Sequence, residues 1–239
     1  MATIVPAILT SSREDLDAKL AALSGIATEV QVDVVDGVFA SPATWPYVGR
    51  DNFNQLFAAD GTIPLFEQFR IEVDLMVQKP EEVTGSWLAA GASRILVHLE
   101  STSYLKNLVS DMKVKYGHEK GFASDFLSFG FALNVDTDLR RIEPYVEDID
   151  YVQFMGIKTI GKQGEPFAQE VIAKILDCKK RFPDLAIQVD GGVNFETAPF
   201  LLAAGVSRLV VGSALWKAPN LKEAYEKLTE LTEEYGLYA

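Results

Sequence analysis

The sequence predicts an α/β fold, a single (β/α)8 TIM barrel that forms one domain over residues 1–239. Short apolar runs rich in β-branched residues alternate with longer amphipathic stretches along the chain. Eight short runs in 239 residues match an eight-stranded barrel in both strand number and length. No linker rich in Pro, Ser or Gly divides the chain, and 48% of its residues are apolar, which is ample for one core.

The eight apolar runs are the predicted strands. The competing architecture, a doubly wound open sheet, usually has fewer strands, and a dinucleotide-binding version would carry an early G-x-G-x-x-G motif that is absent here. The predicted strands, in chain order, span residues 3–9, 29–35, 70–77, 94–100, 126–135, 151–157, 185–193 and 207–213.

Helices are predicted between the strands from their end signals. SSREDLDAKLAALSG begins with serines and acidic residues and ends at Gly25, in agreement with N-cap and C-terminal glycine preferences. KPEEVTGSWLAAGA has Pro80 in its first turn and Gly91 at its end. NFETAPFLLAAG ends in the same way at Gly205. The alternation predicts eight helices.

Composition and charge exclude several classes of partner. The 34 acidic and 22 basic residues give a net charge of −12, and no basic cluster with interleaved aromatic residues is present. The sequence therefore predicts no nucleic-acid and no membrane partner, and no run approaches the roughly 20 apolar residues that span a bilayer. A single cysteine, Cys178, cannot form an intramolecular disulfide, which predicts a reducing, cytoplasmic location.

Acidic residues interrupt three of the predicted strands near their carboxyl ends. Asp33, Asp74 and Asp190 each follow residues of a buried type, and Gln31 lies on the same strand face as Asp33. In a parallel barrel these ends meet at one mouth, where catalytic groups usually lie. Three buried carboxylates repel one another, so a metal, a shared proton or a substrate would have to compensate them. Asp36 faces the other way and is predicted only to cap its turn.

Glycine-rich segments after the last three strands predict a phosphate site. Glycine allows the close backbone approach that an anion needs, and the loops after strands 7 and 8 of such barrels often bind phosphate. The predicted phosphate-binding residues are Gly164, Gly191, Gly192, Gly212 and Ser213.

Seven motifs follow one another along nearly the whole chain: VPAILTSS, VDVVDGVF, DLMVQKPEE, LVHLE, GFALNVDT, VDGGVNFETA and VGSALW. In this order they resemble the motifs of the ribulose-phosphate 3-epimerase family. VPAILTSS resembles the family's P-S-I-L-S segment, VDVVDGVF resembles H-x-D-x-M-D-G-x-F, and DLMVQKPEE resembles H-L-M-V-x-x-P-E. LVHLE and GFALNVDT are similar to V-H-x-E and G-x-A-L-N-P-x-T, and VDGGVNFETA and VGSALW to V-D-G-G-I-N-x-E-T-A and A-G-S-A-I-F. The order of these motifs is more specific than any one of them.

The resemblance implies a metal site in which two aspartates act as acid and base. The family's metal ligands, His, Asp, His and Asp, correspond to Gln31, Asp33, Asp74 and Asp190, so Asp33 and Asp190 are the predicted catalytic pair. Both histidines are replaced. The strand-6 loop, TIGKQGEPF, also departs from P-G-F-G-G-Q-K-F. Further candidates for the walls of the substrate pocket are Ala7 (a serine in the family), Met76, His98, Met155 and Lys158.

The all-oxygen ligand set favours Mg²⁺ or Mn²⁺ over zinc or iron as the cofactor. The alternative is a site without metal, in which a protonated Asp74 is hydrogen-bonded to Gln31. His98 either packs inside the barrel or replaces a lost ligand. His118 lies outside the catalytic-face segments and is expected at the surface.

The resemblance implies epimerisation at C3 of a phosphorylated ketose, with ribulose 5-phosphate converted to xylulose 5-phosphate as the default. One alternative is a barrel that binds a sugar phosphate without turnover. Another is a Mg²⁺-dependent lyase, although EVDLMV lacks the lysine of the related D-x-K-x-x-D motif. Family members commonly self-associate, so a homo-oligomer is also an expectation.

Overall fold

The computed structural model describes residues 2–48, 61–122 and 126–236. Eight parallel strands form a closed barrel in which each strand pairs with the next and β8 pairs with β1. This confirms the (β/α)8 TIM-barrel prediction. The strands are β1 Thr3–Leu9, β2 Glu29–Val35, β3 Arg70–Met76, β4 Arg94–His98, β5 Ser128–Leu133, β6 Tyr151–Met155, β7 Ala186–Asp190 and β8 Arg208–Val211.

The helices surround the barrel, and their ends follow the sequence signals. Ser12 caps the first helix by accepting a hydrogen bond from the Asp15 backbone N–H, and Gly25 follows the helix with a φ of +74°. Within the described residues the α-helices are α1 Arg13–Leu23, α2 Thr84–Ala89, α3 Leu105–Val114, α4 Glu170–Arg181, α5 Ala198–Ala203, α6 Ser213–Trp216 and α7 Leu221–Tyr235.

Two of the predicted helices are not among these seven. Residues 49–60 of the connection between β2 and β3 lie outside the described residues. They include residues 49–55 of the long loop that follows β2. Between β5 and β6 the prediction was wrong, because two short 3-10 helices, Leu139–Arg141 and Glu143–Tyr145, replace an α-helix. Pro144 lies in this segment and has no N–H to donate, which disfavours a continuous α-helix.

The strands alternate between two environments with a period of two residues. In β2, Val30, Val32 and Val34 point outwards and are fully buried in the core between barrel and helices. Gln31 and Asp33 lie on the opposite side of the strand and are also buried. The barrel interior therefore contains polar side chains, whereas the surrounding core is apolar. No helix in the described residues is long and apolar enough to cross a membrane.

Candidate active site

Asp33, Asp74 and Asp190 meet at the carboxyl ends of three strands. Asp33 and Asp74 are neighbours in the β2–β3 register, and Asp190 is the last residue of β7. Each contributes a carboxylate oxygen, and these oxygens all lie within 4.8 Å of one another. The exposed fraction is 5% for Asp33 and zero for Asp74, so water does little to screen their charges.

Burial and mutual repulsion disfavour the ionised forms of Asp33 and Asp190. Burial, followed by the charges of Asp190 and Asp74, raises the pKa of Asp33 well above its usual value. Burial and the charge of Asp74 likewise raise the pKa of Asp190 to about 7. No basic side chain is hydrogen-bonded to either residue within the described residues. A cation or shared protons would relieve this repulsion.

A cleft joins two of the carboxylates to the predicted phosphate loops. It encloses about 380 Å³, part of it open to solvent, and Asp33 and Asp190 contribute to its wall. All five predicted phosphate-binding residues line the same cleft, namely Gly164, Gly191, Gly192, Gly212 and Ser213. Ala7 and Lys162 line it as well. The structure therefore brings the predicted acid–base pair and the predicted phosphate loops together, while their roles remain predictions.

The glycine after Asp190 and its neighbour shape this cleft. Gly191 and Gly192 both have positive φ, +100° and +68°. A Cβ at Gly192 would lie 2.8 Å from the Cα of Phe167, a backbone atom that cannot move away cheaply. Only glycine therefore fits where the loops after β6 and β7 touch.

Gln31 lies on the same strand face as Asp33, but its amide nitrogen is directed away from Asp74. Its Nε2 donates to Oε1 of Glu72 at 2.5 Å and to Oε1 of Gln153 at 2.9 Å. Gln31 makes no hydrogen bond to Asp74; instead Gln153 Nε2 donates to Asp74 Oδ2 at 3.0 Å. The predicted hydrogen bond between Asp74 and Gln31 was wrong, since Gln153, 122 residues further along the chain than Gln31, takes that place.

A layer of polar side chains below the carboxylate cluster was missed by sequence reasoning. Its centre is the fully buried Glu72, which accepts from Arg94 Nε at 2.8 Å. Although burial raises the pKa of Glu72, the charges of Arg94 and Arg208 lower it to about 2. The polar layer consists of Gln31, Glu72, Arg94, Gln153, Gln188 and Arg208. A signal existed, because Glu72 and Gln188 precede Asp74 and Asp190 by two residues and so share their strand faces.

His98 contacts the cluster from β4. Its Nε2 lies 3.2 Å from Oδ1 of Asp74, an ion-pair distance without hydrogen-bond geometry. Burial lowers the pKa of His98, but the charge of Asp74 outweighs it and the net direction is upward. The ring also packs against Phe39, with the centroids 5.4 Å apart.

The other pocket candidates occupy different places. Met76 is buried in a small apolar cluster with Val35 and Ala40, and the Met155 sulfur lies 3.5 Å from Gln153 Nε2. Lys158 is outside the cleft, because its exposed ammonium pairs with Glu170 at 3.1 Å on the surface. The prediction of Lys158 as a pocket residue is therefore not supported by its position.

Two predictions about isolated polar residues had opposite outcomes. Asp36 caps its turn as predicted, since its carboxylate accepts from the backbone N–H groups of Val38, Phe39 and Gln78. The surface prediction for His118 was wrong. Its side chain is buried, and its Nε2 lies 2.7 Å from Oδ2 of Asp150 on the face opposite the mouth.

The donor set of the cluster fits a divalent cation. Asp33 Oδ1, Asp74 Oδ1 and Gln31 Oε1 are buried and have no hydrogen-bond partner, which is costly unless something else coordinates them. Carboxylate and amide oxygens suit Mg²⁺, Mn²⁺ or Ca²⁺ better than zinc, which prefers nitrogen and sulfur. The three aspartates could therefore hold a metal ion, and Gln31 is a fourth candidate donor.

Comparison with known proteins identifies the family. The sequence model described as the "Ribulose-phosphate 3 epimerase family" matches residues 3–216. The chain belongs to this family. It is 30% identical over 234 residues to the ribulose-phosphate 3-epimerase of Bacillus subtilis (strain 168), covering 95% of this chain and 98% of that protein. It is 28% identical to the enzyme of the same name from Schizosaccharomyces pombe, covering 95% and 92%.

Solved structures agree on the fold. A Streptococcus mutans protein described as KGPDC superimposes with a TM-score of 0.69 at 12% identity, covering 98% of this chain and 99% of the other. At this identity the likeness supports the barrel fold alone. The present chain has a carboxamide, Gln31, and a carboxylate, Asp74, at the two positions where the family resemblance implies histidines.

Proposed function

We propose that this protein epimerises C3 of a pentose phosphate, interconverting ribulose 5-phosphate and xylulose 5-phosphate. The family and the names of its relatives support an epimerase that acts on a pentose phosphate. The observation that carries the proposal is the shared cleft, in which Asp33 and Asp190 lie beside the loops suited to a phosphate group.

In the proposed reaction the two aspartates act on opposite faces of the substrate carbon. One carboxylate removes the C3 proton, which gives an enediolate, and the other carboxylic acid returns a proton from the opposite side. Asp190 suits this exchange, because burial and the charge of Asp74 raise its pKa to about 7 in the cation-free protein, and this favours proton uptake near neutral pH. Asp33 and Asp190 come from β2 and β7, strands separated around the barrel, so the two carboxylates would approach a sugar in the cleft from different directions.

The remaining parts of the site would bind and orient the substrate. The backbone of Gly191, Gly192 and Gly212, with Ser213, would hold the phosphate, and Gly164 would contribute from the preceding loop. Asp33, Asp74, Asp190 and Gln31 would hold Mg²⁺ or Mn²⁺. When bound, that cation supplies Lewis-acid stabilisation of the negative charge that develops on the substrate oxygens.

Proton exchange at C3 of ribulose 5-phosphate in D₂O tests this proposal. We expect deuterium to enter C3 without net loss of pentose phosphate, and Asp33→Asn to abolish the exchange. Tight binding without exchange in the wild type would instead support a barrel that binds a sugar phosphate without turnover. Consumption of the sugar phosphate to a shorter product would support a lyase. Exchange that persists in Asp33→Asn would contradict the role assigned to this carboxylate.

Three further features stay proposals. The domain extends over residues 1–239, the location is cytoplasmic, and the protein forms a homo-oligomer. Sedimentation of the purified protein would test the last of these.

A further inference from the structure

The amide of Gln153 links the polar layer inside the barrel to the carboxylate cluster at its mouth. We propose that Gln153 is a positioning residue that binds one oxygen of Asp74 and thereby directs the other, Oδ1, to the cation site. The proposal rests on the proposed function in one respect, namely that the cluster holds a cation.

The hydrogen bonds of Gln153 determine which way its amide faces. Its Oε1 accepts from Gln31 Nε2 at 2.9 Å and from Gln188 Nε2 at 2.6 Å. Its Nε2 donates to Asp74 Oδ2 at 3.0 Å. Rotating the amide by 180° would place its NH₂ group against two other NH₂ groups and its oxygen against a carboxylate. The observed orientation is therefore the one that satisfies the network.

Two charged groups fix the amides that donate to Gln153. Arg208 Nε donates to Gln188 Oε1 at 2.6 Å, and because a guanidinium only donates, Gln188 must turn its Nε2 towards Gln153. Gln31 is oriented by Glu72, whose Oε1 accepts from Gln31 Nε2 while its Oε2 accepts from Arg94 Nε at 2.8 Å. The direction of the hydrogen bond to Asp74 is thus set by two amides, Gln188 on the neighbouring strand β7 and Gln31 on β2.

The same network fixes the free oxygens of the two residues that stand where the family resemblance implies histidines. With Oδ2 bound to Gln153, Asp74 has Oδ1 left, a buried atom that has no hydrogen-bond partner and lies 3.2 Å from His98 Nε2. With Nε2 bound to Glu72 and Gln153, Gln31 has Oε1 left, also buried and without a partner. Each residue therefore offers one oxygen with a defined orientation, which is how outer hydrogen-bond partners tune a metal site.

Cation affinity without substrate is the first test. We expect Gln153→Leu to weaken Mn²⁺ binding, measured by calorimetry, by about 10- to 100-fold, the usual cost of losing an outer partner of a metal ligand. The matched control is Gln188→Leu, which removes an equally buried amide from the same layer but leaves Gln31 to orient Gln153. This control should keep Mn²⁺ affinity within about threefold, since the bond to Asp74 persists.

A double-mutant cycle on the cation-free protein is the second test, and it needs neither metal nor turnover. Urea unfolding of wild type, Gln153→Leu, Asp74→Leu and the double variant should give a coupling of about tenfold in the unfolding equilibrium constant, as expected for a buried hydrogen bond to a charged group. Gln153→Met keeps the length of the side chain and replaces Gln153→Leu if the latter does not fold.

The outcomes separate this inference from the proposed function. Unchanged Mn²⁺ affinity in Gln153→Leu, or coupling within about twofold in the cycle, would overturn the positioning role. If wild-type protein binds no Mn²⁺ but the cycle shows coupling, Gln153 does orient Asp74, and the cation part of the proposed function is the part that fails. If the wild type binds Mn²⁺ and the cycle shows coupling, but the wild type does not exchange the C3 proton, only the epimerase proposal is contradicted.

Discussion

The barrel interior contains two buried polar regions, one above the other, that differ in how their charges are balanced. In the lower layer, Glu72 lies between Arg94 and Arg208, and its pKa falls to about 2 despite burial. At the mouth, Asp190 has acidic neighbours and its pKa rises to about 7. The two carboxylates are both inside the barrel, so burial alone does not separate them. The difference is the counter-charge, because two arginines flank Glu72 in the lower layer, whereas three carboxylates and one histidine, His98, meet at the mouth.

The largest expected effect comes from removing a carboxylate at the mouth. Asp190→Asn should slow C3 proton exchange by about 10²- to 10⁴-fold, because a positioned acid–base group contributes that much. The same change should not lower the stability of the cation-free protein, since it removes an uncompensated charge. Exchange kinetics and urea unfolding measure the two effects. A stable variant with full exchange would mean that Asp190 is not part of the acid–base pair.

In the lower layer, by contrast, removing the carboxylate is expected to lower the stability of the protein. Glu72→Gln should destabilise the protein by about 3–5 kcal/mol, because it leaves the buried Arg94 without its anion, while Arg208 keeps its ion pair with Glu29. Urea unfolding checks this value. The control is Glu226→Gln in an exposed pair with Lys222, which should cost less than about 1 kcal/mol. An equal loss of unfolding free energy in Glu72→Gln and Glu226→Gln would show that the buried counter-charge does not stabilise the lower layer.

Adding a cation should make the mouth resemble the lower layer. Mn²⁺ at about 100 times its dissociation constant should stabilise the wild type by about 2.7 kcal/mol through mass action. Asp74→Asn should lose most of this gain because it removes one of the three carboxylates that meet there. Thermal unfolding with and without Mn²⁺ measures the effect. Equal stabilisation of both proteins would place Mn²⁺ elsewhere.

The two regions should also respond to pH in opposite directions. Asp190 has a pKa raised by folding, so its contribution to stability is full below the unfolded value of 3.8 and is lost as pH rises towards about 7. Glu72 has a lowered pKa, so its contribution is present above 4.5 and is lost as pH falls towards about 2. Each proton contributes a slope of at most about 1.4 kcal/mol per pH unit.

Urea unfolding of the cation-free protein across pH 4–8 tests the contribution of Asp190. Asp190→Asn should flatten the decrease between pH 4 and 7. The decrease should not vanish, because the raised pKa values of Asp33 and His98 act in the same direction. A profile that is identical in wild type and Asp190→Asn would contradict the raised pKa of Asp190.

Sequence reasoning succeeded where the barrel converts position along a strand into position in space. The eight apolar runs predicted the strands, and β1 and β2 begin and end at the predicted residues. Because all strands are parallel, carboxylates near three strand ends had to approach one another, and Asp33, Asp74 and Asp190 do. Elements without such a rule were predicted less well, as the 3-10 helices between β5 and β6 illustrate.

The partners of the site residues depended on contacts that no spacing rule describes. Gln31 meets Gln153 across 122 positions of the chain, and Gln188 meets Glu72 across 116. His118 finds Asp150 in the same way and is buried for that reason. Gln and Glu side chains are usually exposed, so the burial of Gln31, Glu72, Gln153 and Gln188 depends on partners on other strands.

The sequence by itself determined the fold and the set of groups at the mouth, because strand periodicity and the order of strands fix which residues face inwards and at which end. Only the tertiary structure decided how those groups are oriented and charged. Hydrogen-bond direction and pKa depend on atoms brought within about 3 Å by the closure of the barrel. Asp74 and Glu72 are two residues apart on one strand, yet one meets Gln153 and the other meets Arg94.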